Sequence, residues 1–156
     1  MSLLGTDRDV IQTASRWLEE GHELALATVL KTWGSSPRPP GSLMVMRRDR
    51  VHTGSVSGGC VEEDLLDRYR RHELSEPLPT QLNYGVNRQE ATRYGLPCGG
   101  RLELLIEQLD DAAHLHSIID AMDNYQLTAR QVNTRTGEVK LKTACPDQEF
   151  SYHSEH

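Results

Sequence analysis

Leu24-Ala25-Leu26-Ala27-Thr28-Val29-Leu30 leads, two residues on, into Trp33-Gly34-Ser35-Ser36-Pro37-Arg38-Pro39-Pro40-Gly41, and the fold turns on these two segments. The first is apolar at nearly every position, which predicts a strand buried on both faces. The second can be neither helix nor regular strand, because three prolines remove backbone donors. A buried strand therefore runs into a stiff loop closed by glycine.

Upstream, Val10, Ile11, Ala14, Trp17 and Leu18 recur on one face of a helix over residues 7–20, and Gly21 stands where a C-terminal glycine belongs. Downstream, 43–46 and 51–56 read as a hairpin turning at Arg47–Arg50. A helix over 61–73 places Val61, Leu65, Leu66 and Tyr69 together, with Glu62, Glu63 and Asp64 in its first turn. A strand at 80–86, a short helix at 87–94 capped by Asn87, a strand at 101–109 and a helix at 111–123 follow. Residues 126–143 read as a second hairpin with Val139 and Leu141 facing inward, and the chain is polar from 145. Helices alternating with strands imply one α/β or α+β domain over 1–144, a mixed sheet flanked by helices, with a polar tail at 145–156.

Composition narrows the function. The 156 residues suit a single domain. Seventeen basic residues against 23 acidic give a net charge of −6. The densest basic run, Arg47, Arg48 and Arg50, is interrupted by Asp49, so the electrostatic footprint of nucleic-acid binding is missing. No run approaches the roughly 18 apolar residues of a membrane span, and the first residues lack the pattern of a signal peptide. Three cysteines, Cys60, Cys98 and Cys145, without a CxxC pair, suit a reducing compartment. The expectation is a soluble cytoplasmic protein, with a homodimer as one way to cover the apolar strand.

Three glycine-rich loops lie at predicted strand ends: Gly34–Gly41, Gly54-Ser55-Val56-Ser57-Gly58-Gly59-Cys60, and Gly95-Leu96-Pro97-Cys98-Gly99-Gly100. Glycine permits close backbone approach to a ligand, and Gly58-Gly59 running into a helix offers amide donors to an anion. A helix N-terminus favours the thiolate of Cys60, while the acidic triplet after it opposes this. Together the loops suggest one pocket with two thiols, amide donors and Arg38 as a fixed cation. The plainer reading is that the glycines serve tight turns and the cysteines are small buried hydrophobes. In that reading Arg38 ties loops together through a carboxylate such as Glu62 or Glu103. His114 and His116 point apart on a helix, and His22 and His52 lack ligand spacing, so no metal site is expected. Neither a P-loop nor a GxGxxG follows any strand.

Thr32–Gly41, Gly54–Glu62 and Gly95–Glu103, in this order and spacing, resemble the xanthine dehydrogenase accessory factor (XdhC/CoxI) family. The resemblance is firm over residues 8–109 and looser to 144. It implies a chaperone that binds the molybdenum cofactor, assists its sulfuration with a cysteine desulfurase, and inserts it into an apo molybdenum hydroxylase of the xanthine dehydrogenase, aldehyde oxidase or carbon monoxide dehydrogenase kind. Ser35, Ser36, Arg38, Ser57, Gly58, Gly59, Cys60, Cys98, Gly99 and Gly100 are then the residues expected to hold the cofactor. Cys60 and Cys98 are candidate reactive thiols. A thiol-dependent sulfur-transfer protein and a pure interaction module are the alternatives. Typical members continue into a Rossmann domain, which these residues do not contain. The chain is then a short member, a piece of a longer protein, or a subunit partnered by a separate Rossmann-domain chain.

Overall fold

The computed structural model describes residues 4–33, 38–58, 61–85 and 101–143. The elements are α1 (Leu4–Glu19), β1 (Leu24–Trp33), β2 (Leu43–Arg47), β3 (His52–Gly54), α2 (Glu62–Arg70), β4 (Thr80–Tyr84), β5 (Arg101–Leu109), α3 (Ala112–Asp123), β6 (Thr128–Val132) and β7 (Val139–Thr143). The expected sheet flanked by helices is present, with strand order β3-β2-β1-β5-β4 and a separate β6-β7 hairpin. Every pairing among the described residues is antiparallel, so the fold is α+β rather than α/β with parallel crossovers. The helix expected at 87–94 lies outside the described residues.

The apolar run of β1 is buried because the strand is central and covered on both sides. Leu24 and Leu26 pack with Val10, Ile11, Ala14 and Trp17 of α1 and with Leu115 and Ile118 of α3. Ala25, Ala27 and Val29 face the opposite layer, with Val61, Leu65, Leu66 and Tyr69. Residues two apart share a face of a strand, and this alternation divides β1 between the layers. Burial of this strand is thus met within one chain and requires no second copy. β1 also runs on to Trp33, beyond the expected Leu30, because its pairing with β5 continues past a bulge between Val29 and Lys31.

Local chemistry closes α1 and opens α3. Gly21, at φ +88, lets its amide and that of His22 reach Leu18 and Trp17 carbonyls, closing α1. Asp111 caps α3 by accepting from the His114 amide at 3.1 Å. The buried Glu107 of β5 takes both terminal nitrogens of Arg130 at 2.9 and 3.0 Å, which fastens the β6-β7 hairpin to the main sheet. None of the described helices is long and apolar enough to cross a membrane.

β4 is held to α2 by the hydroxyl of buried Tyr84, which donates to Asp64 at 2.6 Å. Burial, and then this bond to a carboxylate, pushes the phenol pKa up. Tyr84→Phe should lower stability by about 1.5–3 kcal/mol, the range for a hydrogen bond to a charged group, as read by urea unfolding.

Candidate functional site at one end of the sheet

Register decides from which end of the sheet the three loops leave. Trp33, the last residue of β1, pairs with Arg101, the first of β5. Tyr84, the last of β4, pairs with Leu102, and Gly54, the last of β3, pairs with Met44 near the start of β2. The chain therefore leaves β1 for 34–42, β3 for 55–61 and β4 for 85–100 at the same end of the sheet. α1 runs down to β1 and so places its first turn, with Asp7, at this end too.

The second loop is built around a residue that sequence alone groups with the first-turn acids. Glu62 is 5% exposed. One of its oxygens, Oε1, accepts from the Ser55 hydroxyl at 2.8 Å, the Val56 amide at 3.0 Å and the Ser57 amide at 2.9 Å. Oε2 accepts from the Ser57 hydroxyl at 2.6 Å. Burial pushes this carboxyl up, but the bonds from Ser57 and Ser55 outweigh it and bring its pKa down to about 2. The Ser57 hydroxyl in turn accepts from the Val61 amide at 3.0 Å, and the Ser55 hydroxyl accepts from the Gly58 amide at 2.8 Å. Glu62 thus reaches back to the Ser57 amide, as the glutamate of a capping box does, while the Ser57 hydroxyl serves the amide of Val61, the residue before the helix. A serine shortly before a glutamate at a helix start was the available signal. Its spacing of five, rather than three, hid it.

This geometry revises what the loop offers a ligand. The amides of Val56, Ser57, Gly58 and Val61 are all engaged inside the loop, and Ser57 is fully buried. These four amides therefore fix the loop's shape. Gly58 is exposed at φ +76, the left-handed conformation that suits glycine.

The first loop is fastened at its far side. The Gly41 amide donates to Val29 at 2.8 Å, the Val29 amide to Ser42 at 3.0 Å, and the Ser42 hydroxyl to the Pro39 carbonyl at 2.7 Å. Half-buried Arg38 places its charge near Asp7 of α1: burial raises the Asp7 pKa, and Arg38 partly offsets this. Asp7, which the sequence does not single out beside Glu62 and Glu103, is thus a carboxylate that senses Arg38. At the sheet end itself, the Arg101 guanidinium lies over the indole of Trp33, 4.5 Å from the ring centroid.

Of the expected site residues, Arg38, Ser57 and Gly58 are described, while Ser35, Ser36, Gly59, Cys60, Cys98, Gly99 and Gly100 lie outside the described residues. No group of three or more metal-binding side chains occurs among the described residues. His116 instead meets Glu19 at 2.8 Å, and His114 lines a cavity of about 210 Å³ with Gln108, Asp110, Arg130 and Gly137. That cavity lies at the other end of the sheet, where β5 finishes.

Residues 17–85, which include β1, β2, β3, α2 and the first two loops, match the XdhC and CoxI family. The chain belongs to the XdhC and CoxI family. It is 30% identical over 125 residues to the molybdenum cofactor insertion chaperone PaoD of Escherichia coli (strain K12), covering 74% of this chain and 36% of that protein. It is 29% identical over 102 residues to a probable xanthine dehydrogenase subunit of Bacillus subtilis (strain 168), covering 64% and 30%. A crystal structure of a xanthine dehydrogenase from Bacillus halodurans shares the fold, with TM-score 0.68 at 24% identity over 97% of this chain and 46% of that one. This XdhC and CoxI family chain thus spans about a third of the length of the curated relatives it matches.

Proposed function

We propose that this chain is an accessory chaperone that binds the molybdenum cofactor, supports its sulfuration together with a cysteine desulfurase, and passes it to an apo molybdenum hydroxylase of the xanthine dehydrogenase kind. The observation that carries the reading is the convergence of three glycine-rich loop ends on one end of the sheet, one of them shaped in advance by Glu62. A loop ordered before binding loses less conformational freedom when the ligand arrives.

The chemistry at this end suits the cargo. A pterin cofactor carries a flat ring system, a phosphate, an oxo-metal centre and two sulfurs. Arg38, stiffened by Pro37 and by Pro39-Pro40 in the sequence, suits a phosphate or oxo group that a planar guanidinium can grip in two places. Cys60 and Cys98 belong to loops that leave this end, and soft thiolates suit a metal–sulfur centre. The name of the E. coli relative, a molybdenum cofactor insertion chaperone, supports the same reading.

The test is retention of the cofactor. Protein purified from a molybdenum-replete host should release a pterin that fluoresces after oxidation, near one per binding-competent chain. The same protein from a host unable to make molybdopterin should release none. Equal blank readings from both hosts, with no uptake of added cofactor, would sink the proposal.

A further inference from the structure

Trp33 is 38% exposed, a large aromatic left open at the end of the sheet from which the loops leave. The other tryptophan, Trp17, is 6% exposed within the core. Arg101 stacks on Trp33 from the facing strand, with 4.5 Å between guanidinium carbon and ring centroid. Arg8, Arg47, Arg48, Arg50 and Arg130 each meet a carboxylate. Among the described residues Arg101 meets none, and its Nε is buried without a hydrogen-bond partner. Its cation is thus offset by the face of an indole rather than by an acid.

We infer that the exposed indole of Trp33 and the cation of Arg101, held together across β1 and β5, form the platform on which a flat anionic heterocycle stacks. This rests on the cofactor-chaperone reading and assigns the pterin ring system of the cargo to this pair. An exposed aromatic face contributes stacking to any flat ring. A guanidinium already held over that indole loses little freedom when it grips an oxyanion. A ligand that satisfies both must be planar and negatively charged, as a pterin phosphate is. Nucleotides share this chemistry, so the test separates the two.

The full chain is titrated without oxygen with molybdopterin released from a purified molybdenum enzyme, following tryptophan fluorescence and bound pterin in parallel. The parent protein should bind with quenching of its emission. Trp33→Phe should keep affinity within about threefold while losing the quench, because stacking survives and the reporter does not. Trp33→Leu and Arg101→Gln should each weaken binding by about tenfold or more, the scale of one lost stacking contact. Unchanged melting temperatures in these variants would show that the folded protein is being compared. Tight, unquenched binding by the parent, undiminished in Trp33→Leu, would overturn the platform while the chaperone reading stands. Tighter binding of guanosine monophosphate than of the cofactor would overturn the assignment to a pterin. No cofactor binding by the parent at all would overturn the chaperone reading, and the platform with it.

Discussion

Glu62→Ala is expected to lower stability by about 3–5 kcal/mol, because it leaves several buried donors without an acceptor, each costing about 1–3 kcal/mol before relaxation. The Val56 and Ser57 amides and the Ser55 and Ser57 hydroxyls all converge on that one carboxylate. Glu62→Gln keeps the shape and an oxygen but removes the charge and puts an N–H donor on one side of the amide. It should cost about 3 kcal/mol, toward the low end of the alanine range, and mark how much of the effect is charge-assisted. The pH dependence provides an independent check. The folded carboxyl sits at about 2 against an ordinary value of 4.5, so the folded state favours the ionised form. At 1.36 kcal/mol per pKa unit, ionised Glu62 contributes about 3 kcal/mol that is fully present above its unfolded pKa. That contribution fades as the pH falls from about 4.5 and is gone below about 2. Urea unfolding of the parent between these values should show the corresponding acid slope, and Glu62→Gln should remove much of it. A slope unchanged by the substitution would mean that the carboxylate is not what shapes residues 55–58.

The distribution of burial explains which features were legible in the sequence. The core strand was readable because an unbroken apolar run suits a central strand covered on both faces, and the end of α1 because Gly21 occupies a left-handed position. The strand over 101–109 and the helix over 111–123 follow from local periodicity, which neighbouring residues encode. Convergence of the loops on one end is different in kind. It depends on the antiparallel pairing of β4 with β5 and of β5 with β1, across separations that local pattern does not encode. The same limit hid the approach of Arg38 to Asp7, since the first turn of α1 meets the first loop only through the tertiary fold. Glu62 and Arg130 were obscured for another reason. A buried acid and an arginine on a polar hairpin look like surface residues until their partners are known. Read from the sequence, Glu62 is one of three acids suited to a helix dipole; in the fold it turns back into the loop.

Gly54→Ala should be about as damaging as Glu62→Ala, and for a reason that joins the fold to the loop. An added Cβ would stand 2.3 Å from the Leu43 carbonyl oxygen and 2.9 Å from Cγ2 of Val10. The first of these neighbours is backbone in a paired strand and cannot swing aside. The second belongs to α1, which packs against this stretch because Gly54 has no side chain. Gly54 also holds φ +82, where an L side chain carries strain of its own. The Leu43 carbonyl that the methyl would strike accepts the Ser55 amide at 3.1 Å, the bond that leads the chain into the Glu62-centred loop. Strain of about 1–2 kcal/mol and overpacking of about 1–3 kcal/mol give an expected loss of about 2–5 kcal/mol, or roughly 10 °C in Tm. Gly21→Ala is the matched control: its φ is +88, but nothing lies within 4 Å of the added methyl, so only the strain of about 1–2 kcal/mol applies. Equal losses at the two positions, measured by urea unfolding, would mean that backbone conformation alone matters. A clearly greater loss at Gly54, together with weakened cofactor retention at temperatures where the variant is still folded, would tie the close approach of α1 and β3 to the shape of the site.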